Sequence, residues 1–203
     1  MSARAEIPPF TPRRLLLVVT GAIQAAHAPY WVTWLRGAYP DLEVRSVLTR
    51  SALRFTTEQA MSALTGHEAH LDEWPAGAPP RALHVDLAEW ADAIIVHPAS
   101  AHYVARAALG LADTPSLLVL HASSAPIAIA PSLPPGLEDN PVYRANLDLL
   151  ARRPNVVVSA TRQARSATTG RSDARGAAPL TTALRDVEEL LRKLSEFSGK
   201  AAG

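Results

Sequence analysis

The stretch Ala93–Asp113, AIIVHPASAHYVARAALGLAD, decides the fold. Its first residues, Ala93-Ile94-Ile95-Val96, form an unbroken apolar run of strand length and β-branched character, as in a buried strand. A short turn, Pro98-Ala99-Ser100-Ala101-His102, follows, with Ser100 as the N-cap of a helix over Ala101–Leu109. A buried strand that ends in small residues directly before a helix is the junction where an open α/β sheet collects its ligand.

The same alternation runs outward in both directions. Leu15–Thr20 is an apolar run that stops at Gly21, and Ile23–Arg36 continues with helical spacing. Glu43–Leu48 is predicted as a strand, followed by the turn Thr49-Arg50-Ser51, a short helix over Ala52–Phe55 and another over Thr57–Leu64. Further strands are predicted at Ser116–Leu120, Ile127–Ala130 and Val156–Val158. Asn140-Pro141 opens a helix through Ala151, with proline in its first turn. Leu180–Phe197 closes the chain as an amphipathic helix, with Leu184, Val187, Leu190, Leu191 and Leu194 on one side. Trp74–Pro80 reads as loop, and the polar, Arg- and Gly-bearing segment Ala160–Ala178 as a mobile loop. The expectation is one domain over residues 1–203, an α/β three-layer sandwich around a mainly parallel, Rossmann-like (flavodoxin-like) sheet.

Composition narrows the chemistry. Twenty basic residues against nineteen acidic ones give a net charge of +1, which argues against a nucleic-acid surface. The absence of cysteine removes disulfides, thiolate metal sites and a cysteine nucleophile. No apolar run approaches the roughly 18 residues of a membrane span, so a soluble, cytoplasmic protein is expected. Arg13-Arg14, the apolar run and Ala26-His27-Ala28 imitate a secretory signal, but Thr20-Gly21 breaks the run and an amphipathic helix follows. No metal site is expected, since His67 and His70 have only Glu68 and Asp72 nearby.

Three βα loops qualify as a ligand site: Thr20-Gly21-Ala22-Ile23, Thr49-Arg50-Ser51 and Pro98–His102. Each offers backbone N–H groups or a hydroxyl at a helix start, which suits a phosphate or other anion. Taken singly, each is ordinary helix capping; three in one fold carry more weight. Dinucleotide and P-loop glycine fingerprints are missing, and Ser100 lacks a nucleophile elbow. Among the seven histidines, His84 precedes Val85-Asp86-Leu87 and Trp90-Ala91-Asp92, ahead of the strand that feeds the Pro-Ala-Ser loop. His67, His70, His97, His102 and His121 compete with it, and side-chain chemistry alone does not rank them.

The stretches LLLVVTGAIQAAHAP, VLTRSALRF, HVDLAEWADAIIVHPASAH, GLAD and PIAIAPSLPPGLEDNPVYRANLDLL, in that order, resemble the homo-oligomeric flavin-containing cysteine decarboxylases. That family includes the phosphopantothenoylcysteine decarboxylases and the peptidyl-cysteine decarboxylases of lanthipeptide biosynthesis, and the resemblance is greatest to the latter. It implies flavin phosphate and ribityl contacts at Gly21, Ala22, Ile23, Thr49 and Ser51, with Phe55 beside them. It places the isoalloxazine ring on Pro98, Ala99, Ser100 and Ala101, and assigns the active-site histidine to His84. The implied cofactor is FMN, with FAD an alternative.

Two departures bear on substrate. Where the family loop ends in asparagine this chain has His102, whose imidazole, if protonated, would hold a substrate carboxylate by charge. The family's substrate clamp, Pro-x-Met-Asn-x-x-Met-Trp, is replaced by Pro131-Ser132-Leu133-Pro134-Pro135-Gly136-Leu137-Glu138, so Ser132, Leu133 and Pro134 are the expected substrate contacts. Without the cysteine that phosphopantothenoylcysteine decarboxylases use to reduce their intermediate, the expected product is an aminoenethiol at the C-terminus of a precursor peptide, with oxygen reoxidising the flavin. Ala160–Ala178 is the expected lid. The resemblance further implies a homotrimer or dodecamer with flavin sites at subunit contacts; Tyr30, Trp31 and Trp34 are candidates for such a contact, but packing of helix on sheet is their expected use. Alternatives are a phosphopantothenoylcysteine decarboxylase, an enzyme like the flavin prenyltransferases, and a non-catalytic flavin-binding subunit.

Overall fold

The computed structural model describes residues 7–74, 76–77 and 81–201. Its centre is a six-stranded parallel sheet formed by β1 (Arg14–Val19), β2 (Glu43–Leu48), β3 (His70–Leu71), β4 (Ala93–Ser100), β5 (Ile127–Ser132) and β6 (Val156–Val158). The strand order is β3-β2-β1-β4-β5-β6, so the chain winds outward one way from β1 and then the other way from β4. The point of reversal, between β1 and β4, is where such a sheet opens a crevice at its carboxyl edge.

The central strands are buried on both faces, which is why they read as continuous apolar runs. Alternate residues serve opposite layers. Leu15, Leu17 and Val19 pack with α1 (Ala28–Ala38), α2 (Glu58–Thr65) and α7 (Leu180–Ala201) through Val32, Leu35, Met61, Leu184 and Val187. Leu16 and Val18 pack the other way with α3 (Leu83–Trp90), α4 (Ala101–Ala108), α5 (Pro115–Ala122) and α6 (Pro141–Ala151) through Leu87, Tyr103, Leu117 and Leu150. This is the three-layer sandwich that the alternation implied.

The boundaries correct several expectations. Ser116–Leu120 is not a strand but the body of α5, a helix whose residues from Pro115 to Leu120 are all buried except Leu118. Because it is apolar nearly all round, it shows no amphipathic period to separate it from a buried strand. The helix expected over Ile23–Arg36 is divided into a 3-10 turn at Ile23–His27 and α1, which begins at Ala28-Pro29. His84 lies on α3, a helix to which the sequence reading assigned no element. Ala160–Ala178 is not loop throughout: β7 (Arg162–Ala164) pairs antiparallel with β8 (Ala174–Gly176). Of the loop expected at Trp74–Pro80, residues 75 and 78–80 lie outside the described residues. No helix among the described residues is long and apolar enough to cross a membrane.

Candidate functional site

Thr20, the residue after β1, ties the reversal point together. Its buried hydroxyl donates to the Pro98 carbonyl at 2.8 Å and accepts the Ser100 amide at 2.7 Å, fixing the turn after β4 against β1. The register of β4 on β5 shifts between Val96 and Ala99, which re-aims the last residues of β4. Ser100 then caps α4, its hydroxyl accepting the Tyr103 amide at 3.3 Å. On the other side of β1, a Cβ at Gly21 would meet the Ser51 Cβ at 2.3 Å, so the first two βα loops meet where only glycine fits.

A cavity of about 790 Å³ opens above these loops. Gly21, Ala22, Ile23, Phe55, Ser100 and Ala101 line it, as do His102, Ser132, Leu133 and Pro134. A recess of about 370 Å³ shares Gly21, Ser100 and His102 with it and adds Thr49 and Ser51. Pro98 and Ala99 line neither space; both are buried behind the turn, where Pro98 receives the Thr20 bond. The Thr49 hydroxyl is buried without a hydrogen-bond partner, which leaves a polar group in the recess for a ligand to satisfy.

His84 is not brought to this cavity within the chain. It faces a separate groove of about 620 Å³ with Arg14, Glu89, Asp92, Ser123 and Ser124. Its ring stands edge-to-face on Trp74, centroids 5.5 Å apart, and its Nδ1 is buried without a partner. Two other histidines, His97 and His121, have structural settings. His97 is buried inside β4 with Nε2 2.7 Å from the Ala178 carbonyl, and burial lowers its pKa, so the neutral ring donates that bond. The His121 Nδ1 lies 3.3 Å from the Arg153 guanidinium.

The far wall of the cavity comes from Ala160–Ala178, the segment expected as the lid, folded as a hairpin rather than as a loop. The β7–β8 hairpin contributes Arg162, Ala164, Arg165 and Arg175, and Gln24 faces them from the first loop. The Gln24 amide makes a two-way bond with the Ala177 backbone, accepting its N–H at 2.7 Å and donating to its carbonyl at 3.1 Å. Leu133 and Arg175 exchange backbone bonds at 2.7 and 3.2 Å, and the Arg175 Nε donates to Glu138 at 2.5 Å.

In the recess, Asp72 accepts the Ser116 amide at 2.8 Å at the start of α5, while its second oxygen is buried and unpartnered. Burial raises its pKa despite that bond. Arg106 pairs with Asp113 at 2.5 Å and holds its carboxyl below the usual range. Among the described residues, no group of three or more His, Asp or Glu side chains is arranged to hold a metal.

Residues 9–193 match the family described as Flavoprotein. The chain belongs to the flavoprotein family. This flavoprotein is 33% identical over 151 residues to a cypemycin cysteine dehydrogenase (decarboxylating) of Streptomyces sp, covering 74% of this chain and 78% of the relative. It is 35% identical over 138 residues to the coenzyme A biosynthesis bifunctional protein CoaBC of Bacillus subtilis (strain 168), covering 68% of this chain but 34% of that longer protein. Among solved structures, the cypemycin decarboxylase CypD superposes with a TM-score of 0.76 at 28% identity, covering 93% of this chain and 98% of that one. The FMN-dependent cysteine decarboxylase SpaF gives 0.71 at 28% identity, covering 86% and 97%.

Proposed function

We propose that this flavoprotein is an FMN-dependent decarboxylase of peptides that end in cysteine, acting in ribosomal peptide biosynthesis of the lanthipeptide type. The observation that carries the proposal is the cavity at the sheet's reversal point. There the orphaned Thr49 hydroxyl and the side-chain-free approach of Gly21 to Ser51 adjoin a shelf of small residues at Ser100-Ala101. Its volume lies in the range of cofactor sites. The donor set fits FMN: hydroxyls and loop amides for a phosphate, and apolar side chains of Ile23, Phe55 and Leu133 for a ring. The similarity to CypD and SpaF across most of both chains supports the same assignment.

FMN held there would supply an acceptor for the hydride leaving the Cβ of the terminal cysteine, the thiol proton going to a base, and the thiocarbonyl so formed would make loss of the neighbouring carboxylate easy. The chain's own residues bind and orient. His102, at the cavity floor, directs one ring N–H at the substrate carboxylate, and Ser132, Leu133 and Pro134 form the side against which the cysteine packs. The hairpin lines the side of the cavity opposite the loops. His84 receives the thiol proton; because it faces a different groove of its own chain, it serves the cavity of a neighbouring subunit in a homotrimer or a dodecamer of trimers. With no cysteine in the chain to reduce the product, the aminoenethiol is released.

The test is purified protein loaded with FMN, incubated with a peptide ending in cysteine and followed by mass. Loss of carbon dioxide together with two hydrogens, abolished in His84→Asn, is the expected result. Turnover of phosphopantothenoylcysteine but of no peptide would move the assignment to coenzyme A biosynthesis. A protein that takes up no flavin overturns it altogether.

A further inference from the structure

The large cavity carries more positive charge than the proposed reaction uses. Among the described residues, three arginines line it, Arg162, Arg165 and Arg175, and no aspartate or glutamate does. Arg175 is neutralised by Glu138 from outside the cavity. Arg171, elsewhere on the hairpin, is neutralised by Asp173 at 2.8 Å. Among the described residues, Arg162 and Arg165 pair with no carboxylate, although the Arg165 Nε is held by the Gly170 carbonyl at 2.6 Å. The guanidiniums belong to the hairpin that Gln24 and Leu133 bind down over the cavity, so they are presented from a braced wall.

Resting on the decarboxylase reading, we propose that Arg162 and Arg165 form a specificity subsite for a carboxylate side chain, aspartate or glutamate, a few residues before the substrate's terminal cysteine. Two other anions enter the cavity, and each suits the guanidiniums less well. The terminal carboxylate leaves as neutral carbon dioxide, so an ion pair with it would stabilise the ground state more than the transition state and slow the reaction. The cofactor phosphate is matched by the Gly21, Thr49 and Ser51 loops, and Thr49 and Ser51 line the recess rather than the hairpin side of the cavity. An extended peptide advances about 3.3–3.6 Å per residue, so the chain leaving a cysteine at Leu133 and His102 passes the hairpin within its next few residues. The rigid guanidinium fork then reads a carboxylate in preference to an amide of the same shape.

The experiment uses FMN-loaded protein and fluorescein-labelled hexapeptides that end in cysteine and differ only by aspartate or asparagine at one of the second to fifth positions from the C-terminus. Binding is followed by anisotropy and turnover by mass, for wild type, for Arg162→Gln/Arg165→Gln and for Arg162→Lys/Arg165→Lys. At one position the aspartate peptide binds about three- to fivefold tighter to wild type, as for a partly exposed ion pair. The preference weakens as salt rises. It appears as a difference in KM rather than kcat, falls to unity in the glutamine variant and partly returns in the lysine variant. Equal binding of all pairs by wild type, or a preference that survives in the glutamine variant, overturns the subsite. So does a glutamine variant that loses FMN instead of the peptide preference, or one whose loss disappears when the peptide C-terminus is amidated. If peptides are turned over without preference, only the subsite falls; if no cysteine peptide is turned over, the decarboxylase reading falls and takes the subsite with it.

Discussion

A Cβ on Gly21 would stand 2.3 Å from the Cβ of Ser51, so the loops leaving β1 and β2 touch without room for a side chain between them. Gly21 has no left-handed backbone requirement, and the constraint is purely one of approach. Thr20 holds the same loop to the turn after β4, so the strain of parting the loops cannot be relieved on that side. Gly21→Ala is therefore expected to destabilise the fold by about 1–3 kcal/mol, as overpacking does. It should also weaken FMN by about tenfold or more, since about 1.4 kcal/mol of distortion at the site suffices for that. Denaturant unfolding and titration of flavin fluorescence measure the two effects.

Asp72 predicts a pH dependence. Burial raises its folded pKa above the unfolded value, so its contribution to stability is fully present below the unfolded pKa and is lost as pH rises through the folded one. Asp72→Asn keeps an oxygen for the Ser116 amide and removes the charge. Relative to wild type, the variant should thus gain stability as pH rises from about 4, near the unfolded carboxylate pKa, towards 7. Urea midpoints across that range check it; a constant difference would mean that Asp72 ionises as readily in the folded chain as in the unfolded one.

The Gln24–Ala177 pair predicts how the hairpin opens. Its two hydrogen bonds join residues 153 positions apart and hold the strand that follows the arginine-bearing segment. Gln24→Ala leaves both backbone groups of Ala177 unpaired, a loss of about 1–3 kcal/mol in local opening. Trypsin has targets at Arg162, Arg165, Arg171 and Arg175, so cleavage in this segment should accelerate severalfold while the far-ultraviolet spectrum stays unchanged. Equal cleavage rates would show that the Leu133–Arg175 bridge alone holds the hairpin.

What the sequence made legible follows from where each signal resides. Glu43–Leu48 and Val156–Val158 have the predicted bounds, because β-branched runs bounded by turn residues have one consistent local solution. The helix expected from Asn140-Pro141 through Ala151 is α6, and the Asn140 side chain caps it. Helix α5 was misread because a helix buried on all sides loses its period; the Thr114-Pro115 start was the available signal. Helix α3 places Leu83, Leu87 and Trp90 at helical spacing, a pattern the sequence also offered. The loop half of the cavity was readable because βα junctions are local. The hairpin side was expected only as a lid over Ala160–Ala178; its strand pairing and the places of Arg162 and Arg165 in the lining depend on tertiary contacts that span the chain.

The separation of His84 from the cavity gives the sharpest test of assembly. If His84 acts on substrate bound to a neighbouring copy, a chain lacking His84 and a chain unable to bind FMN are each inactive alone, yet complement one another. His84→Asn and Gly21→Val are suitable partners, because the first leaves the cavity lining intact and the second leaves the His84 groove intact. A mixed trimer then contains contacts at which an intact cavity meets an intact histidine. Co-expression, or mixing after dissociation and reassembly, should restore a fraction of wild-type turnover that depends on the mixing ratio, whereas each parent shows little. Active single-chain protein in a monomeric fraction would instead require His84 to reach the cavity of its own chain, against the geometry of α3.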